Sequence, residues 1–437
     1  MPYSEIAPKQ KRIIEKDTET LFSPAAFITK PTLEDIKRLG FFHPTIKYNR
    51  GTHFLSEKGA SALRRITDIL AGLAELSQLV SRRDIDHYAL SGYNELLVGH
   101  LQPTGQEFIE GRVNALLAAV KDYEFLIKIE GLDIKDQNVV ELGPVRIQRS
   151  NRALFENVRF GETPSATLTY DQFKDSLWLI GAARGTDDVA REKFEYQATI
   201  AVGILAICGA LLYRGSIWRT RVRAVISPLE HRDATVLLMW ERGGDNPSVT
   251  RRCGWEQDLP LGSNSIALLT QRYLLKQLAS LSTYADQNEL QQAIVRALYW
   301  FADAYRDRNR TMQFVKLWTC AECFFAIDEQ GVTELNAKGL AAILKSARLG
   351  IPEATNYANL KRRAKALYGL RSKALHRASF GHIQTADLDD LSYWIASVIV
   401  SMVLLSERGY QTLEQIRQLA EQIDQKGFAT GVHKGTG

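Results

Sequence analysis

Phe314-Val315-Lys316-Leu317-Trp318-Thr319-Cys320-Ala321-Glu322-Cys323-Phe324-Phe325 and, further on, Lys361-Arg362-Arg363-Ala364-Lys365-Ala366-Leu367-Tyr368 decide how the last third of the chain reads. In both, apolar residues return at helical spacing and strand alternation is missing. From Asn288 onward the same character holds, and it predicts helices near 289–307, 311–328, 333–347, 355–368, 385–406 and 411–424. Thr333 with Asn336 three residues on, and Thr385 before Asp387 and Asp389, mark helix starts. Gly350-Ile351-Pro352 and Gly409 interrupt the pattern. Helices this closely spaced pack as a bundle, so residues 286–437 are expected to form an all-α C-terminal domain. Its boundary should fall in the small polar stretch Thr283 to Gln287.

Upstream the character is mixed. Leu63, Ile66, Ile69, Leu70, Leu73, Leu76 and Val80 lie on one helical face of 57–80, with Ser56 placed to cap its start. Gly111 to Tyr123 is a shorter helical pattern. Glu124–Glu130 and Val139–Ile147 are short β-rich runs, expected to pair. Ile217–Ile226 alternates, with Arg219, Arg221 and Arg223 on one face. These cations could follow a nucleic-acid backbone or guard an exposed edge strand. Ala234–Trp240 is a further strand candidate, and Ser265–Leu281 returns to helix. Residues 56–285 are therefore expected to be an α+β region, and residues 1–55, which lack sustained periodicity, an N-terminal arm. The fold class expected is an α+β N-terminal region followed by an all-α bundle. The aromatic residues of Tyr299-Trp300 and Tyr393-Trp394 are expected in the core.

The chain has 437 residues, 45% of them apolar and 24% charged. That is globular composition and excludes a wholly disordered or collagen-like chain. Ala198–Tyr213 and Trp394–Leu405 are apolar but shorter than the roughly 20 residues that cross a bilayer, so no membrane span is expected. The four cysteines form no disulfide framework, and Cys320-x-x-Cys323 lacks the second pair a zinc site would need. They read as small buried apolar residues of a protein in a reducing cytoplasm. With neither a phosphate-cradling glycine loop nor a metal cluster in the sequence, no cofactor is expected.

The net charge of +5 is too small to name a partner. Its distribution says more. Lys361, Arg362, Arg363, Lys365, Arg371, Lys373 and Arg377 follow one another without an Asp or Glu among them. Within this stretch stands Arg371-Ser372-Lys373-Ala374-Leu375-His376. An imidazole near its ordinary pKa moves protons at cellular pH, and a guanidinium clamps phosphate and stabilises charge developing there. Together they suffice to cleave RNA without a metal: the base takes the ribose 2′-hydroxyl proton and the oxygen attacks the adjacent phosphate. Spacing alone does not select the pair. Arg-x4-His also occurs at Arg38/His43, Arg82/His87 and Arg377/His382, against about 0.6 expected by chance from composition. Context favours the basic stretch, because Asp84 and Asp86 beside His87 would repel phosphate.

Ala366-Leu367-Tyr368-Gly369-Leu370-Arg371-Ser372-Lys373-Ala374-Leu375-His376 resembles the Tyr-x-x-Arg-Ser-x-x-x-His signature of the Apea-like HEPN (higher eukaryotes and prokaryotes nucleotide-binding) domains. Ala297–Ala304 and Phe314–Phe325 are similar to that family's first two core helices, and Asp387–Leu405 to the helix after the motif. The resemblance covers about residues 288–407. Arg377 stands where the family often has a small residue. The resemblance implies a bundle of four to five helices, commonly a homodimer, and a metal-independent endoribonuclease whose Arg and His converge across the dimer interface. Carried onto this chain, it makes His376 the general acid/base and Arg371 the phosphate clamp. Ser372 would bond phosphate, Tyr368 would stack or position, and Glu322 would orient Arg371. Lys361, Arg362, Arg363, Lys365, Lys373 and Arg377 would hold RNA. The setting implied is bacterial antiviral defence or toxin-like growth arrest. Several members of the family are non-catalytic, so a dimerisation or nucleotide-binding module is the alternative.

Overall fold

The computed structural model describes residues 2–28, 45–48, 51–155, 176–213, 222–224, 235–239, 248–252, 258–283, 286–307, 309–326, 331–346, 356–377 and 383–429. The chain forms two compact units, one of residues 1–125 with 182–194 and the other of residues 126–181 with 195–437. The division differs from the one expected, since the sheet strands after residue 125 belong with the C-terminal bundle.

The first unit begins with α1 (Pro2–Glu5) and α2 (Pro8–Leu21), followed by β1 (Phe27–Ile28), β2 (Thr45–Tyr48) and β3 (Gly51–Leu55). Then come α3 (Glu57–Ala71), α4 (Ala74–Ser77), α5 (Arg82–Val98) and α6 (Gly105–Ala119). The start of the chain is thus no arm. Ile14 and Leu21 of α2 are fully buried in a core shared with Ile66, Leu70, Phe108 and Val113. The sequence hides this helix because charged residues separate its few apolar positions. One of them, Asp17, is itself buried and held by Arg65 at 2.6 Å. Ser56 caps α3 as expected, accepting from the Gly59 amide at 3.1 Å. The helix stops at Ala71, short of the predicted end, and Gly72 takes the cap.

The second unit takes in most of a five-stranded sheet of order β6-β7-β8-β4-β9, with β4 at Lys121–Glu130, β6 at Val139–Leu142, β7 at Val145–Arg149, β8 at Leu177–Gly185 and β9 at Arg223–Ala224. The 139–147 run is itself a hairpin, in register Val140↔Ile147. It does not pair with β4 as expected. The strand β8, paired Ile147↔Leu179, lies between them. Short β5 (Leu132–Asp133) and β12 (Leu259–Pro260) pair in parallel, and β10 (Thr235–Met239) pairs with β11 (Ser248–Arg252). Of the alternating arginines only Arg223 is in a described strand; Arg219 and Arg221 lie outside the described residues.

Helices α7 (Asp187–Leu212), α8 (Ser263–Tyr273) and α9 (Leu275–Leu281) precede the bundle. The expected single helix over 265–281 is broken at Leu274, whose φ is +56°. The bundle consists of α10 (Glu289–Arg306), α11 (Arg310–Phe325), α12 (Val332–Ser346), α13 (Tyr357–Arg377), α14 (Thr385–Glu407) and α15 (Leu413–Ala429). Its axis is α14, where Leu391, Trp394, Ile395, Val398, Ile399, Met402 and Val403 are all buried. A helix apolar on every side belongs in the centre of a unit, and α10, α11 and α12 all pack on it. Both α7 and α14 are long and apolar enough to cross a membrane by composition, yet 78% of each apolar window is buried within the protein. In α7, Gly203 makes a close approach possible: a Cβ there would lie 2.3 Å from the Leu298 carbonyl oxygen of α10.

Of the residues expected in the core, Trp394 is 1% exposed, but Tyr299 is 37% exposed. It stacks on Tyr196 of α7, ring centroids 5.8 Å apart.

Candidate active site

The basic stretch forms one uninterrupted helix, α13, which runs beyond the predicted end at 368 through the whole motif. Gly369 weakens helix propensity by about 1 kcal/mol, which tertiary packing of the buried Leu360, Ala364, Leu367 and Tyr368 outweighs. Positions 368 and 371 are three apart and share a face, and that face meets Glu322 on α11.

The Glu322 carboxylate is the hub. Tyr368 donates its hydroxyl to Oε1 at 2.7 Å, Arg371 donates Nη2–H to Oε2 at 3.0 Å, and the same Nη2 lies 2.8 Å from Oε1. The guanidinium also lies over the Tyr368 ring, 5.3 Å from its centroid. Behind the ring stands Trp318, one turn before Glu322 on α11, meeting it edge-on at 5.0 Å. The Arg371 and Glu322 side chains are 19% and 17% exposed. Burial, reinforced by the bond to Glu322, raises the Tyr368 phenol well above its ordinary pKa. It is a neutral hydrogen-bond donor at cellular pH. Arg371 is thus fixed by one nitrogen and one aromatic face, while its Nε is buried without a hydrogen-bond partner. Ser372 is partly exposed on the next position.

Position 376 falls on the last turn of α13, and the side chains of His376 and Arg377 lie outside the described residues. The backbone still fixes where 376 sits. Five residues of α-helix turn through about 500°, leaving it about 140° round the axis from 371. It shares a face with Ser372 instead. Leu375, four residues after Arg371 and on its face, is 45% exposed.

Much of the expected RNA-holding set is already paired within the chain. Lys361 bridges Glu334 at 2.9 Å and Asp424 at 3.1 Å. Burial would lower its ammonium pKa, but the two carboxylates outweigh this and hold it up. Lys365 reaches Glu334 at 3.0 Å, and Arg363 reaches Asp387 at 2.6 Å. Arg362 bonds the Asn359 side chain, and Lys373 is exposed. Three of the named cations therefore fasten α13 to α12, α14 and α15.

Elsewhere, Arg82 is held by Asp68 at 2.6 Å and by Asp86, so the Arg82/His87 pair offers no open guanidinium. His43 and His382 lie outside the described residues. Cys320 is buried and Cys323 half-buried, both as free thiols. Among the described residues no three His, Cys, Asp or Glu side chains gather as a metal site. Comparison of the chain with protein-family models, with curated proteins and with solved structures finds no match.

Proposed function

We propose that this chain is a metal-independent endoribonuclease of the HEPN type, with Arg371 as phosphate clamp and His376 as general acid/base. The support comes from the Glu322–Arg371–Tyr368 cluster. A guanidinium held at one nitrogen by a carboxylate and stacked on a phenol is preorganised to receive a phosphate oxygen. Positions 371 and 376 diverge by about 140° on one helix, which favours a site assembled from two chains. The clamp of one would face the histidine of the other. The exposed Leu375, on the clamp's own face, suits such a contact.

In the reaction, His376 takes the ribose 2′-hydroxyl proton and the freed oxygen attacks the neighbouring phosphorus; the 5′-oxygen of the next nucleotide leaves with the proton returned by the imidazolium, giving a 2′,3′-cyclic phosphate and a 5′-hydroxyl. Arg371 neutralises charge on the non-bridging oxygens. The test is incubation with total RNA in excess chelator. Cleavage should vanish in Arg371→Ala and in His376→Ala, and return when the two variants are mixed, because one mixed site per dimer keeps both groups. Cleavage unchanged in both variants would remove the assignment, and loss only in His382→Ala would move it to the overlapping pair.

A second reading, a non-catalytic dimerisation or nucleotide-binding module, is favoured by the internal pairing of Lys361, Arg363 and Lys365. On that reading the α13 cations are structural, and the chain dimerises without cutting RNA.

A further inference from the structure

The stacked tyrosines of α7 and α10 have no part in the reading above. Large aromatic rings are ordinarily buried, and an exposed one requires an account when it is paired and held. Tyr196 is 46% exposed and Tyr299 37% exposed, with planes 23° apart and centroids 5.8 Å apart. Trp300 abuts Tyr299 edge-on at 6.2 Å. The two helices cannot slide freely beneath them. Two turns after Tyr196, Gly203 sits where any Cβ would strike the carbonyl of Leu298, the residue before Tyr299. The pair is thus a rigid outward-facing aromatic surface fixed by backbone packing.

Its neighbour carries the right charge. Arg296, one turn before Tyr299 on α10, shares its helical face and is likewise exposed. An exposed aromatic pair and an exposed guanidinium thus lie side by side at α10.

We propose that Tyr196 and Tyr299 form a stacking platform for an unpaired nucleobase of a single-stranded RNA whose backbone passes Arg296. Aromatic platforms beside cations are how proteins hold unpaired bases with little sequence preference. The inference rests on the ribonuclease reading only in taking the strand to be RNA.

The probe is a short 2′-O-methylated oligouridine, which attack by the 2′-oxygen cannot cleave, compared with an abasic strand of equal charge. Binding to the full chain is followed by fluorescence anisotropy. The wild type should prefer the base-bearing strand by about ten-fold or more. The double variant Tyr196→Leu/Tyr299→Leu should lose that preference and keep its affinity for the abasic strand. Tyr196→Phe/Tyr299→Phe should retain the preference, which controls for folding. Equal binding of the two strands by the wild type would overturn the platform. So would a shift from dimer to monomer in the Leu variant by sedimentation velocity, which would assign the face to a second copy. Cleavage of natural RNA without base preference in binding defeats the platform alone. Base preference without cleavage defeats the ribonuclease alone.

Discussion

Glu322→Gln is the perturbation that the cluster constrains most tightly. It keeps the shape and one acceptor oxygen but removes the charge facing Arg371 at 2.8 Å. Two unit charges about 4 Å apart attract by about 4 kcal/mol at an effective dielectric of about 20, and desolvation of both groups offsets part of this. Hydrogen bonds to charged groups contribute a net ~1.5–3 kcal/mol. The Gln variant should therefore lose about 1.5–2 kcal/mol. Glu322→Ala, which also strips the acceptor from the Tyr368 hydroxyl, should lose about 3 kcal/mol. Urea denaturation followed by tryptophan fluorescence is a suitable assay, because Trp318 touches Tyr368 edge-on and reports on this helix pair. A double-mutant cycle with Arg371→Met isolates the pair, and its coupling should be about 1–2 kcal/mol. Coupling below about 0.3 kcal/mol, or a Gln variant as stable as the wild type, would refute the view of Glu322 as the hub. On the proposed activity the same substitution lowers RNA cleavage, since an unanchored guanidinium must be ordered anew for each phosphate. Intact cleavage in Glu322→Gln would end the orienting role while leaving the stability result standing.

Other substitutions probe the frame. Gly203→Val should destabilise the chain by several kcal/mol, since its Cβ meets a backbone carbonyl at 2.3 Å and overpacked cores are costly. Gly369→Ala, where a Cβ meets nothing within 4 Å, should instead stabilise by about 0.5–1 kcal/mol, and thermal melts will show the opposite signs. Lys135 first, and then Arg149, hold the Asp133 carboxyl down at about 2. A depressed carboxyl stabilises the fold above its unfolded pKa of about 3.9. That contribution fades as pH falls from about 4 through about 2, so Asp133→Asn should flatten this part of the acid-denaturation curve. Burial pushes the Cys208 thiol up to about 12 and the Cys323 thiol up to about 11. At pH 8 both should resist a thiol reagent until the protein is unfolded, with the half-buried Cys323 reacting first.

The bundle is legible because most of its helices carry their own periodic apolar face, while the central one is a long apolar run. Predicted and observed ends of the 289–306, 332–346 and 385–407 helices agree within a residue. The end of α13 was not, because Gly369 looks like a stop and only packing shows that it is not one. Strand β8 escaped notice for a related reason. Leu177-Trp178-Leu179-Ile180 is buried on both faces and shows no alternation, so its place between β7 and β4 is decided by pairing partners far along the chain. Tyr299 was misplaced because helical spacing identifies an apolar face but not whether a neighbour covers all of it. In the candidate site, Glu322, Tyr368 and Arg371 were nameable from a motif. Their shared carboxylate depends on which turns of α11 and α13 come level, a matter of helix packing.

The pairing of the α13 cations also bears on how the protein would respond to salt. Affinity for a single strand falls with ionic strength in proportion to the phosphates neutralised, with a logarithmic slope of about 0.7 for each. Seven cations acting together would give a slope near −5. Lys361, Arg363, Lys365 and Arg371 already face carboxylates, and a cation with a built-in counterion releases few others when a strand arrives. The stretch should therefore contribute a slope no steeper than about −2. The helix that looks most electropositive in the sequence would hold a strand through geometry more than through ion release.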